Sequence, residues 1–340
     1  MTYMRKAAYI LLILLLASCD RIGDTYMDSI GLKASIGQMD NSSQGTKAEE
    51  ARPFEGTAPT PDNPLHAEVW FSLDRHKFIH EPAGSTYLPC HTDMTFTSDA
   101  ATYADYTPDG SDTPVSLKYP TDNNQSVYCV GFHPASGLET TWETTDGVNV
   151  THEITGSEDL MFADVIEGTW NDHFSSQHYS HLLTWVKVSV CAMTMETAKQ
   201  WGKVTNILIS SKSTVSIDLS KDSNKTAYSG NINIPAYNGP AEGTELSLTS
   251  REVGSVFCIP ETKDNKAVVT VSITTSNYGT KTLEVPLSDL DYVPLTSADQ
   301  TIGKLFILSL YFNPFALIEG TCTLNYWNDQ NEDLYLTPTV

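Results

Sequence analysis

The chain has 340 residues, with 42 Asp and Glu against 20 Lys and Arg, for a formal charge of −22. A charge of that sign repels nucleic acid and anionic lipid headgroups, which excludes nucleic acid as a partner. Only 18% of the residues are charged and 10% are aromatic, and the abundance of Thr, Ser, Asn and Tyr favours strands and polar turns over helices.

Arg5 and Lys6 open the chain, an unbroken apolar run covers 7–17, and Ser18 and Cys19 follow. The run is roughly a dozen residues, short of the ~20 that a helix needs to cross the hydrocarbon core. Residues 1–18 therefore read as a signal peptide. Leu16-Ala17-Ser18-Cys19 has the Leu-small-small-Cys order of a bacterial lipoprotein cleavage site. It predicts cleavage before Cys19 and acylation of its thiol, so that a lipid holds the mature chain on the membrane.

Residues 19–63 form a lipidated leader of mostly polar residues that cannot bury enough surface to offset its ordering entropy. Within it, Ile30, Leu32, Ala34 and Ile36 alternate with polar or small residues, which predicts a single strand. Beyond 63, short strand patterns at 66–73, 94–97, 116–118, 127–133, 148–154 and 181–191 are separated by turn residues. A second series covers 204–210, 214–218, 230–234, 255–259, 267–275, 281–286, 304–312 and 320–327, and a short helix is expected within 193–201. This pattern predicts an all-β body of two tandem β-sandwiches, 64–192 and 193–340.

Chemistry-bearing patterns are sparse. His76 and His80 have the spacing of a helical zinc pair, but on a strand they lie about 13 Å apart and no Glu accompanies them. His178 and His181 would face opposite sides of a strand, which predicts surface or hydrogen-bonded side chains. Asp105, Asp109 and Asp112 do not match a calcium loop. No nucleophile elbow or phosphate loop is present, so neither an enzyme nor a bound metal or cofactor is expected. The six Trp residues are expected mainly in the core. Cys90, Cys129, Cys191, Cys258 and Cys322 are too few and too widely spaced to define a disulfide framework; buried free thiols are expected for Cys129 and Cys191, with one bridge left open.

Several local patterns occur in a fixed order. Tyr119-Pro120 leads through an Asp-Asn turn into 127–134, Asp159-Leu160-Met161-Phe162-Ala163 follows, and then Phe174 and 177–183 run into Trp185-Val186-Lys187-Val188. With 303–310 and the closing 318–327, this series resembles the fimbrillin family of Bacteroidales, the subunits of type V pili. The resemblance implies two transthyretin-like β-sandwiches, export as a lipoprotein to the outer membrane, and surface display in a fimbrium. The implied partners are other pilin subunits and a host or bacterial surface ligand. It also implies that an N-terminal strand plugs the first sandwich until a protease removes it and the C-terminal segment of another subunit takes its place. Here Ile30, Leu32, Ala34 and Ile36 would form the plug, and Lys47 and Arg52 are the candidate cleavage positions. Pro53 hinders cutting after Arg52, and Lys47 stands where the family has Arg. Residues 328–340 form a short tail for a donor strand, which suits an anchor, tip or accessory subunit as well as a shaft subunit. The competing reading from composition is a surface glycan-binding lipoprotein, which would need exposed Trp or Tyr on one face.

Overall fold

The computed structural model describes residues 29–37, 58–78, 88–107, 112–142, 148–219, 221–222 and 225–325. In chain order its strands are β1 (Gly31–Ile36), β2 (Leu65–Ser72), β3 (Cys90–Phe96), β4 (Thr102–Tyr103), β5 (Asp105–Tyr106), β6 (Val115–Ser116), β7 (Val127–His133), β8 (Leu138–Trp142), β9 (Val148–Glu153), β10 (Met161–Gly168), β11 (Ser176–His181) and β12 (Thr184–Ala192). After helix α1 (Met195–Trp201) come β13 (Lys203–Ser211), β14 (Thr214–Asp218), β15 (Thr226–Ser229), β16 (Ile232–Pro235), β17 (Thr244–Glu245), β18 (Arg251–Cys258), β19 (Glu261–Lys263), β20 (Lys266–Thr275), β21 (Gly279–Ser288), β22 (Leu305–Phe312) and β23 (Ile318–Leu324). The chain is an all-β protein of two tandem β bodies.

The first body is a seven-stranded sheet in the order β3-β2-β7-β10-β11-β1-β4. Leu65, Ala67, Val69 and Phe71 of β2 point into one core with Val127 and Cys129 of β7 and Met161 and Ala163 of β10. The other face of these strands, with Trp70, Val130, Phe132 and Phe162, belongs to a second core that continues through the C-terminal half. Burial on both faces explains why β2 and β7 read as apolar runs without clean alternation.

The second body is a ten-stranded sheet whose main path is β16-β13-β20-β21-β23-β22-β12-β18. Strands β21 and β23 pair, in parallel, only at Leu287↔Cys322 and Ser288↔Thr323. Its two ends return to each other: the Asn238 N–H donates to the Val253 carbonyl at 2.8 Å. A Cβ on neighbouring Gly254 would lie 2.2 Å from the Ala236 carbonyl oxygen, so only glycine permits this approach. Helix α1 is capped by Thr194, whose hydroxyl accepts from the Thr197 N–H at 3.1 Å. It carries fully buried Trp201 edge-on against Phe312, and the indole N–H donates to the Asn313 carbonyl at 2.9 Å.

A four-stranded sheet, β15-β14-β9-β8, takes one hairpin from each half and joins the two bodies. Ion pairs Arg75–Asp222 and Lys225–Asp164 reinforce the junction.

Most expected strands are present, with α1 inside the expected helical stretch. The short strands β4, β5, β8, β15, β17 and β19 lie in stretches where no strand is expected, and two further features differ. The strand expected at 181–191 is β12 from Thr184 onward, while His181 ends β11, which lies in a different sheet. Strand β10 was not expected as a strand, because its register shifts between Ala163 and Ile166 and breaks the period-two pattern. All five cysteines from Cys90 to Cys322 are free and buried.

Candidate functional site

Ile30, Leu32, Ala34 and Ile36 all lie in the first core, each no more than 2% exposed. Their strand β1 sits between two neighbours. It runs parallel to β11, with Lys33↔Ser176, Ala34↔Gln177, Ser35↔His178 and Ile36↔Tyr179. It is antiparallel to the much shorter β4, with Gly31↔Tyr103 and Leu32↔Thr102. At its start the Ile30 N–H donates to the Leu117 carbonyl at 2.7 Å and the Ile30 carbonyl accepts from the Ala104 N–H at 3.0 Å. At its end the Gly37 N–H donates to the Tyr179 carbonyl at 2.6 Å. An apolar strand far from its neighbours in sequence thus occupies an inner place in the sheet.

The wall beside β1 is polar and buried. Gln177, with no exposed surface, accepts from the Tyr179 hydroxyl at 2.9 Å and donates to the Cys129 sulfur at 3.3 Å. The Tyr179 ring lies over Gly131 of β7, where a Cβ would be 2.2 Å from its hydroxyl oxygen. Burial pushes both the Tyr179 hydroxyl and the Cys129 thiol well above their usual ranges, so both stay neutral.

His181 closes the far end. Its Nδ1 is 2.9 Å from a carboxylate oxygen of Asp159, and its Nε2 donates to the Gly37 carbonyl at 2.7 Å. Both side chains are buried. A carbonyl only accepts, so Nε2 must carry a proton, and the Asp159 contact needs a second one on the ring or on the carboxyl. Of the two settings expected for His181, the surface and a hydrogen bond, it has the second, and it is buried. The signal for it was weak, since β11 alternates two sets of polar residues, of which Gln177, Tyr179 and His181 point inward.

Cys19, Lys47, Arg52, Asp109, His80 and Trp327 lie outside the described residues. His76 is 3.8 Å from Asp222 at the surface, and Asp105 takes a hydrogen bond from Ser116. Tyr119 and Phe174, far apart in sequence, meet: the Phe174 N–H donates to the Tyr119 hydroxyl at 3.0 Å. Trp70, Trp185 and Trp201 are buried and Trp170 is partly buried.

No family model and no curated protein matches the chain. Among solved structures, a candidate cell adhesion protein from Bacteroides uniformis aligns at 13% identity over 90% of this chain and 100% of its own, with a TM-score of 0.50. A fimbrial assembly protein from Parabacteroides distasonis aligns at 10% identity over 88% and 99%, with a TM-score of 0.41. A candidate polysaccharide binding protein from Bacteroides thetaiotaomicron aligns at 9% identity over 89% and 99%, with a TM-score of 0.46. The first of these likenesses supports the fold along nearly the whole chain.

Proposed function

We propose that the protein is a structural or accessory pilin of a surface fimbria, exported as a lipoprotein through Cys19, and that β1 is a plug exchanged for a strand of another subunit after cleavage at Lys47 or Arg52. The observation that carries this reading is β1 itself: a buried strand supplied by the leader and separated from β2 by residues 37–64, which hold both basic positions. Removing such a strand bares the backbone groups of β11 beside an apolar groove, which a strand from a neighbour can satisfy. Head-to-tail completion does not close on itself and builds a filament. The shared fold with a candidate cell adhesion protein agrees with this role.

The test is limited trypsin digestion of the full chain, followed by mass spectrometry and size exclusion. Cleavage after Lys47 or Arg52 that converts monomer into a ladder of multimers is expected. A cut chain that stays monomeric would remove the strand-exchange role and favour a monomeric glycan-binding lipoprotein. The membrane anchor is tested separately by Cys19→Ala, which should abolish fatty-acid labelling and release the chain; retained label would contradict it.

A further inference from the structure

The groove around β1 is uneven, and its two least forgiving places lie toward one end. At Ala34 the facing residue is Gln177, whose amide is tied on one side to the Tyr179 hydroxyl and on the other to the Cys129 sulfur. Tyr179 is itself confined over Gly131 and against Phe96, with ring centroids 6.3 Å apart. Gln177 cannot turn aside for a larger neighbour without leaving the buried Tyr179 hydroxyl unpaired. At residue 37 both main-chain groups are held, the N–H by the Tyr179 carbonyl and the carbonyl by His181, which Asp159 positions. A Cβ there would sit 3.2 Å from the Tyr179 carbonyl oxygen, tight enough that β11 would have to give by a few tenths of an ångström. Ile30, Leu32 and Ile36 are fully or almost fully buried large side chains.

We propose that this site selects extended segments by sequence, accepting large apolar residues at the places of Ile30, Leu32 and Ile36, a small residue at the place of Ala34 and glycine at the place of Gly37, with the carbonyl of that last residue docked on His181. The inference rests on the strand-exchange reading and adds what the acceptor groove discriminates. Gln177 and Tyr179 act as specificity determinants and set the register, because a segment shifted by one residue turns its apolar side outward, while His181, positioned by Asp159, holds the main-chain carbonyl that follows the last apolar place.

The test uses the full chain carrying Leu32→Asp and Ile36→Asp, which loosens its own β1, and fluorescent nonapeptides. The peptide Ser-Ile-Gly-Leu-Lys-Ala-Ser-Ile-Gly should bind, with affinity about tenfold or more weaker when its Ala is Leu, as overpacking implies. His181→Phe should weaken binding similarly, and His181→Gln, which keeps an N–H donor, should restore part of it. Equal binding of the Ala and Leu peptides would overturn the selection while leaving strand exchange standing. Binding of neither would overturn both. In the otherwise unaltered chain, Ala34→Leu should abolish hydrogen-exchange protection of β1 while Ser35→Leu preserves it; equal protection in the two would contradict the proposal without relying on the released-strand variant.

Discussion

Strands β1 and β12 hold similar places in the two bodies, each buried and each parallel to one neighbour, yet they are bound very differently. Strand β12 pairs on one side with β22 from Trp185↔Leu305 to Ala192↔Phe312 and on the other with β18 from Thr184↔Cys258 to Val190↔Arg251. Strand β1 pairs with β11 only over Lys33–Ile36 and with β4 only at Gly31 and Leu32. Side-chain burial alone therefore does not separate the two strands, of which the proposed function makes only β1 replaceable. The difference lies in the ladder and in the connection, since β12 continues from β11 through Leu182 and Leu183 whereas β1 belongs to the leader.

The largest effect is expected where the ladder is complete. Val188→Asp places a carboxyl in the interior of the second core, at a cost of several kcal/mol that a domain stable by roughly 5–15 kcal/mol barely survives. Circular dichroism should show loss of the strand signal. Leu32→Asp with Ile36→Asp imposes a similar burial cost, but β1 can escape by leaving its groove. The strand signal should persist while the melting temperature falls and size exclusion shows self-association. An unchanged melting temperature and oligomeric state would mean that residues 30–36 are a simple linker.

A smaller effect concerns the face of β2 that carries Trp70, where buried Glu68 contacts His91 of β3. Burial pushes its carboxyl from 4.5 up to about 7, with His91 opposing. A raised carboxyl pKa means that the unfolded chain ionises first, so stability is lost as pH rises from 4.5 through 7, by about 3 kcal/mol in all. Burial also lowers His133 to about 4, so that residue costs stability in the opposite sense, as pH falls from 6.5 toward 4. The two slopes oppose each other over pH 4.5–6.5. Glu68→Gln should remove one of them, giving a chain more stable than the parent at pH 7 and nearly equal at pH 4.5 in urea unfolding. A difference independent of pH would refute the assignment.

The smallest effect is expected at the junction of the bodies. Lys225→Met removes the ion pair with Asp164, whose side chain is 69% exposed. Since one partner is well solvated, the melting temperature should move by no more than about 2 °C.

Much of this architecture was legible in the sequence. The alternation at 30–36 identified β1 inside a polar leader, because one face of that strand is apolar and the other is not. The stretches at 127–133 and 214–218 matched β7 and β14 residue for residue. Strand β11 was obscured because its inward residues Gln177, Tyr179 and His181 are polar and satisfied by one another, by Cys129, by Asp159 and by Gly37. Cys129, Asp159 and Gly37 are 22 or more residues from the side chains they satisfy, so no local period records them. The same long-range pairing hid the shared sheet, in which β9 meets β14 through Val150↔Ile217.

Native-state hydrogen exchange on the full chain, followed residue by residue across increasing denaturant, tests the replaceable strand most directly. Amides of β1 should exchange through a partial opening, at a free energy clearly below that of β12, whose amides should exchange only with global unfolding. Exchange of β1 and β12 together, at the same free energy and with the same denaturant dependence, would contradict a replaceable β1.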